Sequence, residues 1–167
     1  MEFFNNAKTV RLKAHNGKYL LARDDGETVR QDRDGSGSRA CWGVEFDTSK
    51  SYVLLKSCFG RYLTASEEQD LHGFIVTQSL GSGDEIYWKP LKDGSKVYFK
   101  AYVGFYLRAN GGIPPWKNTV SHAETETVTE QFQWVVEVLQ FSHVNLPKVC
   151  TGNSMEEWKQ YGRMIII

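Results

Sequence analysis

The sequence carries no excess of charge of either sign, because 20 lysine and arginine residues balance 20 aspartate and glutamate residues. Nucleic acids and anionic membrane surfaces select for a surplus of basic residues in the proteins that bind them. The chain also contains no apolar stretch approaching the roughly 20 residues of a transmembrane helix, and its first ten residues do not resemble a signal peptide. We therefore expect a partner that is neither nucleic acid nor membrane.

Cysteines and metal-ligand motifs are scarce as well. The cysteines Cys41, Cys58 and Cys150 are odd in number, and there is no Cys-x-x-Cys pair and no histidine cluster with ligand spacing. This composition argues against a disulfide framework and against a zinc-binding module. We expect no metal, no cofactor and a cytoplasmic location, with the nucleus left open.

Recognisable catalytic motifs are missing too. The neighbouring carboxylates Asp24–Asp25 and Glu67–Glu68 point to opposite sides of an extended chain, so neither pair is arranged for concerted acid–base chemistry. No glycine-rich segment is followed by the Lys-Ser/Thr and helix of a phosphate-binding loop. We therefore expect a binding protein without catalytic residues, and not an enzyme.

The sequence does contain a threefold repeat. The segments VRLKAHNGKYLLA, VLLKSCFGRYLTA and VYFKAYVGFYLRA begin at Val10, Val53 and Val97. Each is followed by a lone valine and then by a tryptophan. The turn glycines are Gly17, Gly60 and Gly104, the lone valines are Val29, Val76 and Val120, and the tryptophans are Trp42, Trp88 and Trp134.

Each repeat predicts four short strands. Alternating apolar residues mark the first strand, the glycine permits a hairpin turn, and the valine and tryptophan mark the third and fourth strands. The two GSG segments, at residues 35–37 and 81–83, predict tight hairpin turns between the third and fourth strands. The expected fold is an all-β β-trefoil, in which three four-stranded repeats form a six-stranded barrel with a three-hairpin cap. A propeller is disfavoured because three blades fall below the usual minimum of about four.

The trefoil is expected over residues 1–140, with repeats at about 8–50, 51–94 and 95–140. Residues 141–167 form a C-terminal extension outside the repeat. Ser154 and Glu157 have the spacing of a capping box, which predicts a short helix in this extension.

Two long stretches resemble a known family. MEFFNNAKTVRLKAHNGKYLLA at the N-terminus and ANGGIPPWKNTVSH at residues 109–122 are similar to the plant family called domain of unknown function 569. The repeat itself resembles the fascin-like, actin-crosslinking type of β-trefoil. The resemblance implies a plant source, a trefoil fold and F-actin as a possible partner, but no settled activity. Fascin bundles filaments with several trefoils, so bundling by a chain with room for one trefoil is not expected.

The first candidate partner-binding site is the loop GGIPPWKN, which contains Trp116 and Lys117. The glycines permit unusual backbone angles, the prolines stiffen the segment, and Trp116 is additional to the repeated tryptophans. An aromatic side chain on a stiff loop is a typical interface anchor. The alternative is that Trp116 folds back and plugs one end of the barrel.

The second candidate is a lysine that recurs at one position of each repeat. The three residues are Lys13, Lys56 and Lys100. Pseudo-threefold symmetry would place these cations around one end of the barrel, where they would attract an acidic partner. The alternative is that they are ordinary solvated lysines on strand faces.

These observations favour a non-enzymatic intracellular module for protein–protein interaction. A carbohydrate-binding, lectin-like module is the alternative. Ricin-type sugar-binding trefoils share a Gln-x-Trp motif, which is absent here. The residues two positions before the repeated tryptophans are Ala40, Ile86 and Phe132.

Overall fold

The computed structural model describes residues 4–127 and 129–141, which form one sheet of twelve strands that closes into a barrel. The strands are β1 (Ala7–Ala14), β2 (Tyr19–Ala22), β3 (Val29–Asp32), β4 (Trp42–Phe46), β5 (Val53–Lys56), β6 (Tyr62–Asp70), β7 (Gly73–Ser79), β8 (Trp88–Asp93), β9 (Lys96–Ala101), β10 (Tyr106–Ala109), β11 (Val120–Ala123) and β12 (Trp134–Phe141). Single-turn 3-10 helices at Ser38–Ala40, Asp84–Ile86 and Glu130–Phe132 precede β4, β8 and β12. No helix in these residues has the length and apolarity to cross a membrane. The predicted C-terminal helix lies outside the described residues.

Strand β1 illustrates why the repeated segments form β-strands. Val10, Leu12 and Ala14 are buried and the residues between them are half-buried, which is the two-residue period of a strand with one face on the core. Gly17 follows with a φ of 79°, and its N–H donates to the carbonyl oxygen of Ala14 at 3.0 Å, which closes the turn to β2. The equivalent turn glycines are Gly60, with a φ of 73°, and Gly104, with a φ of 104°.

The predicted β-trefoil is confirmed, with one correction to the barrel. Strands β1, β4, β5, β8, β9 and β12 pair antiparallel in that order and return to β1. Three cap hairpins, β2–β3, β6–β7 and β10–β11, lie against this ring. Additional pairing of β6 with β5, β10 with β9 and β11 with β7 extends the barrel to a closed path of nine strands, where six were predicted, because part of the cap joins the same ladder. The barrel strands continue through short turns into the cap, so the hydrogen-bond ladder does not stop at the barrel rim.

The repeated tryptophans lie in the core and tie each barrel strand to its own hairpin. All three have no exposed surface. Each indole Nε1 donates to the carbonyl oxygen of the leucine in the Tyr-Leu pair, because a buried N–H without a partner would cost about 1–3 kcal/mol. The pairs are Trp42–Leu20 at 3.0 Å, Trp88–Leu63 at 2.9 Å and Trp134–Leu107 at 3.1 Å.

The prediction of tight hairpin turns at the two GSG segments is wrong. Strand β4 pairs with β1 and β5 and strand β8 pairs with β5 and β9, so neither pairs with the strand just before it in sequence. These glycines instead allow close packing. A Cβ added to Gly35 would lie 2.5 Å from the ring of Tyr19, and one added to Gly81 would lie 2.4 Å from Cγ2 of Ile86.

Candidate binding site

Three buried polar side chains join the cap hairpins to one another. They occupy one position of the repeat, two residues after the lone valine, and we call them the latch residues: Gln31 in β3, Gln78 in β7 and His122 in β11. Each forms a hydrogen bond with the backbone carbonyl of a neighbouring hairpin, at the residue that follows the repeated alanine. The cap is therefore closed by a cyclic set of side-chain-to-backbone bonds.

The two glutamines of this set have partners at both ends of the amide. Nε2 of Gln78 donates to the carbonyl oxygens of Arg23 at 2.7 Å and Thr28 at 3.3 Å, and its Oε1 accepts from Oγ of Ser57 at 2.8 Å. Gln31 is partnered in the same way by the carbonyl oxygens of Asn110 at 2.9 Å and Thr119 at 2.7 Å and by Nδ2 of Asn16 at 2.9 Å.

The third latch residue, His122, is partnered at one end only. Its Nε2 lies 2.8 Å from the carbonyl oxygen of Ser66. A carbonyl oxygen can only accept, so Nε2 carries the proton and the neutral ring presents an unprotonated Nδ1. His122 is 2% exposed, and its buried Nδ1 has no hydrogen-bond partner among the described residues.

The missing partner has a cause in the repeat. Asn16 and Ser57, which donate to the two glutamines, lie in the turns that follow β1 and β5. The matching positions in the third repeat are Val103 and Ala101, and neither side chain has a donor. Burial favours the neutral ring and lowers the pKa of His122 below its ordinary value, and the smaller effect of the hydrogen bond to Ser66 raises the pKa in the opposite direction.

His122 lines an open cleft with a volume of about 360 Å³, which we call the His122 cleft. A bulge in β6 forms one wall of the cleft. Between Ala65 and Gln69, β6 has two more residues than β7 has between their partners Val76 and Phe74. The other lining residues are Ala65, Ser66, Glu67, Phe74, Val103 and Phe105.

Aromatic rings form the apolar part of this cleft. The ring of Phe74 stacks on His122 with centroids 5.3 Å apart and a plane angle of 28°, and Phe105 lies 5.9 Å from His122. The two phenylalanine rings are 5.4 Å apart, and both side chains are half-buried. Glu67 is exposed at the cleft and contributes a carboxylate. The cleft therefore combines partly exposed rings with hydrogen-bond acceptors.

The matching positions in the other two repeats are cationic. Lys18 and Arg61 stand where the third repeat has Phe105. Nζ of Lys18 donates to Oδ1 of Asn118, in the loop between β10 and β11. The guanidinium of Arg61 lies against Gly26, since a Cβ there would be 3.2 Å from its Nε. In each of these repeats the chain's own cation contacts the neighbouring hairpin.

The structure places Trp116 outside the His122 cleft. Its half-buried ring meets His72 of the β6–β7 turn edge-on, with centroids 5.4 Å apart. Its carbonyl oxygen accepts from N–H and Oγ1 of Thr119, at 3.0 and 2.6 Å. Trp116 thus packs between two hairpin tips, so the loop holds it partly out of solvent. Lys117 beside it is exposed and lines a separate cleft with Lys18.

The repeated lysines have equivalent positions, as the repeat implies. Each is half-buried and lies over the ring of the tyrosine that is paired with it across the hairpin. The Nζ-to-centroid distances are 5.6 Å for Lys13, 5.3 Å for Lys56 and 5.5 Å for Lys100. Such contacts contribute about 0.5–1 kcal/mol at exposed sites. These cations therefore have a structural role within their repeats, and their part in partner binding stays a prediction.

Comparison with known proteins identifies a family over most of the chain. A family described as a beta-trefoil domain of unknown function (DUF569) matches residues 1–137. The search of curated proteins gives no match.

Solved structures share the fold at low sequence identity. A designed 3-fold symmetric protein, ThreeFoil, has a TM-score of 0.68 and 22% identity, over 79% of this chain and 99% of that chain. SeviL bound to asialo-GM1 saccharide has a TM-score of 0.64 and 14% identity, over 80% of this chain and 98% of that chain. Cry35Ab1 has a TM-score of 0.69 and 13% identity, over 89% of this chain and 40% of that chain. At these identities the similarity shows the trefoil fold alone.

Proposed function

We propose a function on the premise that this chain belongs to the DUF569 beta-trefoil family: it is a non-enzymatic binding module whose His122 cleft receives part of a protein partner. The observation that carries the proposal is the replacement of a cation by Phe105 at the cleft. In the other two repeats this position holds a cation, Lys18 or Arg61, that contacts the neighbouring hairpin. A part-exposed aromatic pair, Phe74 and Phe105, adds an apolar surface of the kind that anchors protein interfaces.

The chemistry of the cleft supports binding over catalysis. Its titratable side chains are His122 and Glu67. Nε2 of His122 is bonded to Ser66, and Nδ1 is buried until a lining side chain moves, so the ring is not placed as a general base for a substrate in the cleft. A cytoplasmic location and a relation to actin-crosslinking trefoils belong to the same proposal and rest on the sequence alone.

Carbohydrate binding is the second candidate. Part-exposed rings next to hydrogen-bond acceptors are suited to the apolar face and hydroxyl groups of a sugar, and SeviL, which shares the fold, was solved with a saccharide. Protein binding is preferred because five of the seven lining residues are apolar or aromatic when His122 is counted with the rings, which suits a side chain of a protein partner.

Capture experiments with three forms of the protein test the proposal. Wild type, Phe105→Arg and Trp116→Ala are immobilised, and the recovered proteins are identified and purified for direct binding measurements. We expect a partner whose affinity falls about tenfold with Phe105→Arg and is unchanged with Trp116→Ala. The reverse pattern would assign the contact to the GGIPPWKN loop. Loss of capture after enzymatic deglycosylation, with binding on a glycan array, would favour the lectin-like function.

A further inference from the structure

The cation that two repeats supply to the cap is missing from the third. Lys18 reaches Oδ1 of Asn118, and Arg61 lies against Gly26, so each contacts a neighbouring hairpin. Phe105 occupies the matching position at the His122 cleft and has no charge to offer. The third copy of this position therefore holds an aromatic ring where the other two hold a cation.

The residues that line this cleft offer acceptors to a ligand that donates hydrogen bonds. Nδ1 of His122 presents a lone pair, Glu67 presents a carboxylate, and the faces of the phenylalanine rings carry partial negative charge. Guanidinium and ammonium groups donate and cannot accept, pair with carboxylates, and are attracted to aromatic faces. Guanidinium fits best, because its planar fork stacks on a ring while its N–H groups bond outward.

We infer that the His122 cleft binds an arginine side chain of the protein partner, on the ring of Phe105, which stands where Lys18 and Arg61 lie in the other repeats. This inference rests on the proposed function and specifies the chemistry of the partner. The guanidinium would lie on Phe105 and Phe74, with one edge on the carboxylate of Glu67 and an N–H directed at Nδ1 of His122.

Entry to Nδ1 requires a small movement. Less than 1 Å² of this atom is accessible, so a ligand reaches it only when a lining side chain shifts. Val103 is suited to that shift, because it is 64% exposed in the β9–β10 turn next to Gly104, whose φ is 104°. The rings of Phe74 and Phe105 already reach solvent and need no rearrangement.

The test is an NMR titration of the full-length protein with small probes. N-acetyl-arginine methylamide is compared with the citrulline analogue, which has the same shape without the charge, and with methyl β-galactoside. We expect the arginine probe to bind about tenfold more tightly than the citrulline probe. The binding should be saturable and should shift the ring ¹⁵N resonance of His122 Nδ1 and the ring protons of Phe74 and Phe105.

Two variants of equal charge identify the site. Phe105→Arg supplies the internal cation of the other repeats and should abolish probe binding. Leu80→Arg adds the same charge at a side chain that is 70% exposed and does not line the cleft, and should leave binding unchanged. If Phe105→Arg does not fold, Phe105→Leu keeps the apolar volume without the ring face and should weaken binding several-fold.

Three results would overturn the inference. They are equal affinity for the arginine and citrulline probes, arginine binding that survives Phe105→Arg, and shifts caused by the galactoside but not by arginine. The first two leave the proposed function standing if a purified partner still loses affinity with Phe105→Arg. The third removes the protein-binding proposal together with the inference.

Discussion

Replacing Gln78 by leucine removes one latch while keeping the size of the side chain. Gln78 is 1% exposed, and its amide satisfies the hydroxyl of Ser57 and the carbonyl oxygen of Arg23. Leucine cannot replace either bond, so the buried Ser57 hydroxyl loses its acceptor and the Arg23 carbonyl oxygen keeps only the N–H of Gly26, at 3.4 Å. We expect the free energy of unfolding to fall as a result.

The magnitude follows from the two hydrogen bonds that are lost, one of them to the buried Ser57 hydroxyl. A buried polar group that loses its partner costs about 1–3 kcal/mol, and the greater apolar character of leucine offsets about 1 kcal/mol of the total. We expect Gln78→Leu to lower the free energy of unfolding by about 2–4 kcal/mol, a large part of the roughly 5–15 kcal/mol of a typical domain. Removing the Ser57 hydroxyl as well should recover about 1 kcal/mol, because one orphaned group is then gone.

Urea unfolding followed by the fluorescence of the buried tryptophans measures this loss. The matched control is Gln69→Leu, on the exposed part of β6 in the same hairpin, which should change stability by no more than about 0.5 kcal/mol. A loss below about 1 kcal/mol for Gln78→Leu would refute the view that the latch closes the cap. Equal losses for the two leucine variants would do the same.

The remaining predictions concern other parts of the fold. The unfolded state binds a proton at His122 more readily than the folded state, so we expect stability to fall as the pH drops below about 6.5, by up to about 1.4 kcal/mol per pH unit until the folded ring titrates. His122→Gln should remove this component in urea unfolding at several pH values. Gly81→Ala should lower the thermal midpoint more than Gly94→Ala, since both have positive φ but only the first would place its Cβ 2.4 Å from Ile86. Lys100→Met should cost less than about 1 kcal/mol in chemical unfolding, because its contact with a tyrosine ring is half-exposed.

The sequence was sufficient to predict the trefoil because the residues that form the core recur in all three repeats. The alternating residues of β1, the turn glycine and the buried tryptophan each have a local pattern and recur three times. The nine-strand closure was not predictable in the same way, since it depends on hydrogen bonds between hairpins far apart in sequence. The hairpin turns predicted at the GSG segments were wrong for a related reason. Glycine marks a close approach as well as a turn, and the ring of Tyr19 that approaches Gly35 is distant in sequence.

The candidate cleft was missed although its signal was present in the repeats. The latch residues, Gln31, Gln78 and His122, follow the lone valine at the same spacing. A polar residue at that spacing gives no indication in the sequence that it is buried. Phe105 stood in the place of two cations, and only the structure shows that this place contacts the next hairpin. Trp116 was the more conspicuous departure from the repeat, yet its ring is engaged by His72.

The asymmetry of the cap bears on the number of partners that one chain can hold. Among the described residues, the aromatic and acceptor chemistry of the His122 cleft is found in one of three equivalent positions, because Lys18 and Arg61 take up the other two. If the cleft binds a partner as proposed, a single trefoil with one such cleft would hold one partner segment at a time and would not bridge two filaments by this contact alone. Crosslinking would therefore need a second surface, for which the exposed Ile113 and the half-buried Trp116 of the loop between β10 and β11 are candidates. A stoichiometry of one partner per chain that persists in Trp116→Ala but not in Phe105→Arg is the result that this asymmetry requires.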